Sequence, residues 1–448
     1  MNQHPGWSAA FFFFPVLFLI FWVAAPARSQ TLTLEEALRL GTEENRLSRN
    51  AAIEVDKMED RITAARTKRY PSFELYVMES RLLKTLDFEF RKGVFGDNPV
   101  IGPIPAEDTD ISTEPRFATY ALARVTQPLS QQYRIGLGIE FLEISRDLAR
   151  EALRIRRQTV ANEIRHGYFE ILGLQNALAA AGETVSFYRE LRRVVDQFIR
   201  EGVALSVDGL EVEANLSGAL DDERTVGHAI RSRKEELNRL MGRGIETAFE
   251  VAQIPEPAPF EVDGGTAAEK ALASRPELLE ARLRVDQAVY GKRMKKAEYI
   301  PDLSLALNYA RLHNVEVLPE EAASVGLILT WECFDWGRKK RELEERERMI
   351  LQAKNGRREA EALVLSDVRF RLRKLDEARA AIDTARLRKE ASRERLRITM
   401  NRYREKAALL KDVLQDEASF RDATRKFDGA VLDLWKARAD LEKAMGVD

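Results

Sequence analysis

Two stretches of this chain, 134–200 and 338–404, contain no proline and carry apolar residues seven positions apart. At 1.5 Å per residue each makes a continuous helix of about 100 Å, several times the span of an ordinary globular core. In the first, Ile164, Ile171, Leu178 and Val185 recur at sevens, with Leu174, Ala181, Tyr188 and Val195 between them and Gly167 and Arg192 as exceptions. The second carries Val368, Leu375, Ile382, Leu396 and Tyr403, with Lys389 interrupting the series. A seven-residue apolar period is the mark of helices packed as coiled coils. The fold therefore has to be elongated.

The two stretches are copies of one pattern. A shift of 204 places Thr126 on Thr330, Arg134 on Arg338 and Met241-Gly242 on Met445-Gly446, without a gap. Upstream, a shift of 230 places Ala51 on Ala281, Val55 on Val285, Asp56 on Asp286 and Pro71 on Pro301. The chain reads as a tandem repeat, 30–253 and 266–448, joined by the Pro- and Gly-bearing linker 254–265.

Each copy opens in helix. Thr33 has a capping-box partner in Glu36, with Leu34, Ala37, Leu38 and Gly41 on one face, and a second helical run, 47–69, ends before Pro71. After each proline the period changes from helix to strand. Phe73, Leu75 and Val77 alternate in the first copy, and Leu303, Leu305, Leu307 and Tyr309 in the second. A loop rich in Gly and Pro, or a shorter one in the second copy, leads to another alternating segment, including Val325, Leu327, Leu329 and Trp331. Each copy thus contains a β-hairpin, about 72–130 and about 302–334, followed by a long helix pair, 134–242 and 338–446. The pair is broken by "REGVALSVDG" or "REKAALLKDV", where Asp208 with Glu211 and Asp412 with Gln415 have capping-box spacing and start the return helices.

Composition excludes several classes. Charged residues make up 32% of the chain, yet Lys and Arg nearly balance Asp and Glu, leaving a net charge of −2 with no reason to propose nucleic acid. The lone Cys333, read as a small apolar filler in a strand, rules out an intrachain disulfide, and four scattered His argue against a metal or redox centre. His166 and His228 stand alone, and no phosphate-cradling glycine loop precedes a helix, so no enzyme, cofactor or metal is expected. Residues 1–29 read as a secretory signal peptide: the apolar run Ala9 to Ala25 leads to small residues suited to cleavage after Ala27 or Ser29. An uncleaved anchor is the competing reading, weakened by Pro15 and the short apolar run.

Four strands cannot close a barrel, and a membrane tolerates no open sheet edge. Copies of the chain must pool strands, to eight, twelve or sixteen. The alternative is a soluble hairpin pair on a helical stalk, an envelope coiled-coil scaffold without channel activity. Tyr120, Tyr133, Trp331 and Trp336 around the hairpins favour the membrane.

The stretches "LTLEEALRL", "YPSFEL", "YIPDLSL", "REGVALSVDGLEVEANL", "NRYREKAALLKDVLQDEASF", "LNRLMG" and "LEKAMG", in this order, resemble the outer membrane efflux proteins, the TolC-like exit ducts of Gram-negative tripartite pumps. The resemblance covers essentially the whole mature chain. It implies a mainly α fold with a membrane β-barrel: a homotrimer with a 12-stranded barrel in the outer membrane and a coiled-coil tunnel in the periplasm. Its helix tips would meet a periplasmic adaptor that serves an inner-membrane pump, in efflux or type I secretion. One departure is Lys406, which stands where the second tip of the family typically has Gly.

The candidate site is the pair of tips. The resemblance implies that Asp412, and with it Asp208, rings the periplasmic entrance, where carboxylates would favour cations. Capping is the plainer role for both. Arg200, Arg402 and Arg404 are candidates for gating ion pairs, although an exposed pair contributes only about 0–1 kcal/mol. Gly202, Val203, Ala204 and Leu205, with Ala407, Ala408 and Leu409, form small apolar tips suited to docking a helical hairpin.

Overall fold

The computed structural model describes residues 30–81, 83–84, 86–113, 117–254, 262–314 and 319–447. The expected signal peptide, most of the linker and part of the second hairpin loop lie outside them. In chain order the elements are β1 (Gln30–Leu32), α1 (Leu34–Glu44), α2 (Arg46–Thr67), β2 (Ser72–Arg81), β3 (Leu86–Phe90), β4 (Asp97–Asn98), β5 (Gly102–Pro103), β6 (Thr109–Thr113) and β7 (Phe117–Pro128). The long helix α3 (Gln131–Arg200) and its return helix α4 (Ser206–Leu240) follow, then β8 (Phe249–Val251), α5 (Gly264–Ser274), α6 (Pro276–Ala297), β9 (Asp302–His313), β10 (Glu321–Thr330), α7 (Arg338–Arg404) and α8 (Leu410–Ala444).

Pro71 and Pro301 act as the sequence suggests. Helices α2 and α6 stop a few residues before them, and the chain leaves as strand. Four strands then pair antiparallel in the order β10-β9-β7-β2. Apolar residues meet across the ladder, Leu305 opposite Leu327 and Leu307 opposite Val325. The inner strands β7 and β9 are largely half-buried, whereas almost every residue of the outer strands β2 and β10 is exposed in the single chain. Both outer strands leave one ladder edge without a partner.

The Gly- and Pro-rich segment between β2 and β7 is more ordered than its composition suggests. Strands β3 and β6 pair antiparallel, β4 and β5 form a two-residue ladder, and Phe90 lies 6.5 Å from the Phe88 ring and 5.3 Å from Phe95. Cys333 requires a correction. It lies beyond the end of β10 and is exposed, because the strand stops at Thr330 and a turn held by Asp335 leads into α7.

Polar contacts fix the sheet to the helices. The Ser130 hydroxyl donates to the Pro301 carbonyl at 2.6 Å and accepts from the Leu303 amide at 2.8 Å, while Arg134 pairs with Asp302 at 2.9 Å. The start of α3 is thereby tied to the start of β9.

Below the sheet the helices form four columns. Helices α2 and α4 both pack on α3, α3 packs on α6 and α8, and these pack on α7, so the lateral order is α2/α4, α3, α6/α8, α7. The heptad residues supply the cores: Ile164, Ile171, Val185, Tyr188 and Val195 are buried on α3, and Val368, Leu375, Ile382 and Tyr403 on α7. Each fully buried Leu, Ile or Val contributes about 1.5–3 kcal/mol. Residues 204 positions apart have like fates, since Val160 with Val364, Ile164 with Val368, and Leu237 with Leu441 are all buried. Lys389 breaks the series by placing its ammonium 4.7 Å from the Phe427 ring centroid and 4.0 Å from Asp428.

A parallel pair absent from the sequence reading, β1 with β8, closes one core. The buried Tyr168 hydroxyl sits 2.9 Å from the Leu32 carbonyl and 2.8 Å from that of Ala252, and burial raises its ionisation above the ordinary tyrosine value. The far end of α4 is closed by Gly242 in the left-handed region, with the Gly242 amide donating to Arg239 and the Arg243 amide to Asn238.

Candidate functional site

The two tips are built alike. At the first, Gly202 has φ +74, its amide donates to the Ile199 carbonyl, and the Val203 amide donates to Phe198. At the second, Lys406 has φ +62, its amide donates to Tyr403, and the Ala407 amide donates to Arg402. This is the Schellman closure in both cases. Lys406 therefore keeps the turn that Gly makes at the first tip, in a conformation that disfavours a Cβ by about 1–2 kcal/mol. The Lys406 side chain joins the tips: its ammonium lies 3.1 Å from Glu201 and 5.4 Å from the Phe198 ring centroid. Hydrogen bonds from Gln197 first, then from Lys406, hold the Glu201 carboxyl below its ordinary value.

The return helices start earlier than the capping-box reading placed them. The N-cap positions are Leu205 and Leu409, and Asp208 and Asp412 occupy the third helical position. Each aspartate reaches back to accept from the cap residue's amide, Leu205 at 2.9 Å and Leu409 at 3.2 Å. Leucine offers no side-chain acceptor, so this is one arm of a capping box. It also puts a carboxylate in the first turn, where the helix dipole favours negative charge.

Among the expected gating arginines, Arg404 reaches Glu190 of α3 at 3.5 Å. Arg200 and Arg402 make no direct ion pair among the described residues, although the charge of Arg200 adds to the lowering of Glu201. Val203, Leu205 and Leu409 are exposed, whereas Ala204 and Ala408 pack against the core beneath the tips. Tyr403 in that core has its ionisation raised by burial first and by the charge of Asp208 second, which couples the first tip's aspartate to the second tip's helix.

Sequence reasoning missed a buried polar contact above the tips. The Tyr188 hydroxyl donates to Glu417 at 2.7 Å, with Tyr188 2% and Glu417 3% exposed. It clamps α3 to α8. Tyr188 was visible as a heptad core residue, but nothing around Glu417 distinguishes it from the solvated carboxylates beside it. Nearer the middle, Asp440 of α8 takes Asn162 and His166 of α3 on one oxygen and Arg371 of α7 on the other, at 2.6–2.9 Å. The described residues contain no group of three or more His, Cys, Asp or Glu placed to hold a metal ion. No described helix is long and apolar enough to cross a membrane, which leaves the sheet to be considered.

A family model described as outer membrane efflux protein matches residues 40–243 and 267–447. The chain belongs to that family. Its fold is that of solved outer membrane channels. The TM-score is 0.78 against CusC, at 14% identity over 96% of each chain. Against the CmeC outer membrane channel of Campylobacter jejuni it is 0.76, at 14% identity, over 92% of this chain and 85% of that one. The open state of the MtrE channel of Neisseria gonorrhoeae gives 0.70, at 17% identity, over 93% and 89%. An uncharacterised protein of Haemophilus influenzae is 19% identical over 240 residues, covering 51% of this chain and 52% of that protein, about half its length. The family is one of outer membrane channels and not of enzymes. In this efflux protein the Lys406 bridge joins the two tips, and the Tyr188–Glu417 clamp lies above them.

Proposed function

We propose that this outer membrane efflux protein is a passive exit duct of a tripartite efflux or type I secretion system. It conducts substrates from a periplasmic adaptor and inner-membrane pump to the exterior. Residues 1–29 direct export and are removed, and 30–253 and 266–448 act as two repeats around the linker. Three copies pool their strands into a 12-stranded barrel in the outer membrane, and their helices form the tunnel in the periplasm. The observation that carries this reading is the shared lateral order of strands and helices. Strand β2 continues the α2/α4 column, β7 feeds α3, β9 follows α6 and β10 feeds α7. Both layers thus end in open flanks on the same two sides, and joining copies head to tail closes both together.

At the tips, Asp412 from three copies rings the entrance, with Asp208 behind it. Arg200, Arg402 and Arg404 offset the repulsion, and the apolar tips at Gly202–Leu205 and Ala407–Leu409 receive the adaptor. In planar bilayers the parent is expected to conduct. Asp412→Asn is expected to shift cation preference and weaken block by multivalent cations with little change in stability, because the Asn carbonyl still accepts from the Leu409 amide. Asp412→Ala removes charge and acceptor together. If only the Ala variant differs, and only in stability, Asp412 serves the helix start alone. A parent that never conducts is the behaviour of a coiled-coil scaffold.

A further inference from the structure

The joint between the two repeats inside one chain has an unfilled counterpart at the open flanks of the sheet. Shifts of 230 and 204 carry β2 and β7 onto β9 and β10, and the registers obey them: Ser72 opposite Thr126 in the first hairpin corresponds to Asp302 opposite Thr330 in the second. A third ladder, β7 with β9, joins the repeats. Moving β7 forward by 204 and β9 back by 230 turns that ladder into β10 paired with β2, the two outer strands, which one chain cannot bring together. Arg124 opposite Asn308 then becomes Ile328 opposite Met78, and Val125 opposite Leu307 becomes Leu329 opposite Val77. Both shifts are even, so the face carrying Leu75, Val77, Leu327 and Leu329 stays on one side across the seam. A slip of one residue would turn it over.

Side-chain chemistry changes from polar to apolar at that counterpart. Inside the chain, Arg124 Nε donates to Asn308 at 2.9 Å, Gln131 donates to Ser304 at 3.1 Å, Ser130 clamps Pro301 and Leu303, and Arg134 pairs with Asp302. At the flanks the corresponding sets are Ile328 with Met78, Asp335 with Glu74, Phe334 with Pro71 and Phe73, and Arg338 with Ser72. Asp335 and Arg338 are engaged in their own turn, Asp335 accepting from the Gly337 and Lys339 amides and Arg338 meeting Glu332 and Glu342 at 2.6 and 3.2 Å. What remains uncovered is apolar. Phe334 and Phe73 are 72% and 79% exposed, and Trp336 backs the Phe334 ring with 4.9 Å between centroids.

We propose that Phe334 seats on Pro71 and Phe73 of a second copy of this chain, an apolar joint at the foot of the sheet in the place of the Ser130 clamp. Above it, β10 pairs with β2 of that copy in the register that sets Ile328 opposite Met78 and Leu329 opposite Val77. The inference rests on the head-to-tail trimer of the preceding reading and adds to it which residues hold the copies and in what register. The occupant is a second copy because Ser130, at the place of Phe334, lies against the backbone that opens the neighbouring hairpin, bonded to both Pro301 and Leu303. The Leu129 amide donates to the Leu303 carbonyl at 2.9 Å, and its counterpart is the amide of Cys333 on the carbonyl of Phe73. Phenylalanine cannot make the clamp's hydrogen bonds, so the joint between copies is held by buried apolar surface, which salt does not screen.

The test uses the full-length protein in detergent, with its mass measured in parallel. In a Cys333→Ser background, Ile328→Cys with Met78→Cys is expected to give disulfide-linked trimers on oxidation with diamide, because directly opposed residues hold their Cα atoms about 4.5–5.5 Å apart, within disulfide reach. Ile328→Cys with Tyr76→Cys or with Ser80→Cys sets the pair about 7–8 Å apart, and linking should be about tenfold slower or more. Phe334→Ala is expected to raise the concentration at which the trimer dissociates by about tenfold or more. Phe334→Ser should lose less, since its hydroxyl can make the bonds that Ser130 makes. Faster linking of an offset pair overturns the register and leaves the trimer standing. Ala and Ser variants that both dissociate like the parent, the behaviour of a ring lying in lipid, overturn the joint in the same way. A parent that is not a trimer overturns the trimer and the joint with it.

Discussion

Replacing Tyr188 by phenylalanine is expected to loosen the tip half of the helical bundle by about 2–4 kcal/mol, because it leaves a buried carboxylate without its donor. The hydroxyl donates a hydrogen bond to Glu417 at 2.7 Å in a site almost closed to water, and the ring sits in the core shared by α3, α4, α7 and α8. Phenylalanine keeps the ring and removes only the donor. Glu417→Gln keeps an acceptor for the hydroxyl and removes the charge, so its cost should be smaller. Hydrogen exchange at the tip-proximal amides of α3 and α8 reads both. The pH dependence has a definite sign. Burial first, then the hydrogen bond to Glu417 and its charge, raise the ionisation of Tyr188 far above the ordinary tyrosine value. A group raised in the folded state contributes stability that is complete below its unfolded value and is lost as pH climbs toward the folded one. The window opens near pH 10, and each unit within it removes about 1.4 kcal/mol. Tyr188→Phe should abolish that alkaline slope. Equal exchange in parent and phenylalanine variant would mean that the pair contributes nothing.

Gly242→Ala is expected to cost about 3 kcal/mol or more. At φ +73 any side chain is strained, and a Cβ there would sit 2.3 Å from the Glu44 carbonyl oxygen and 2.7 Å from its carbon. That backbone is held in place. The Asn45 side chain caps α2 through the Leu47 and Ser48 amides and donates to the Leu240 carbonyl at 2.8 Å, so the ends of α1 and α4 move together or not at all. Gly218→Ala, inside the helix that Gly242 closes and with nothing within 4 Å of the added carbon, is the control. It should be neutral or stabilising by up to about 1 kcal/mol. Thermal unfolding of the two variants beside the parent decides the matter, and equal melting would contradict the close packing at Gly242.

The large features were legible because each has a periodic cause. Seven-residue spacing selects long paired helices, Pro71 and Pro301 force the change to strand, and alternation such as Leu303, Leu305 and Leu307 marks a pleated face. What escaped has no period. Strands β1 and β8 are three residues each and pair across more than two hundred positions, too short to alternate visibly. Asp208 and Asp412 were recognised as capping residues but placed three positions early in their roles, since a leucine at the cap gives no signal of its own. Glu417 looks like its solvated neighbours until the fold lays Tyr188 over it. Lys406 shows the reverse case. Its departure from glycine was plain in the sequence, and the structure supplies what offsets it, a bridge to Glu201 and Phe198.

The central claim is that three chains complete one barrel, and the mass of the purified protein–detergent complex, corrected for bound detergent, tests it most directly. Strands β2 and β10 each leave one ladder edge unpaired in a single chain, and a membrane tolerates neither edge. The predicted result is three chains per particle. A conducting particle of one or two chains would contradict it.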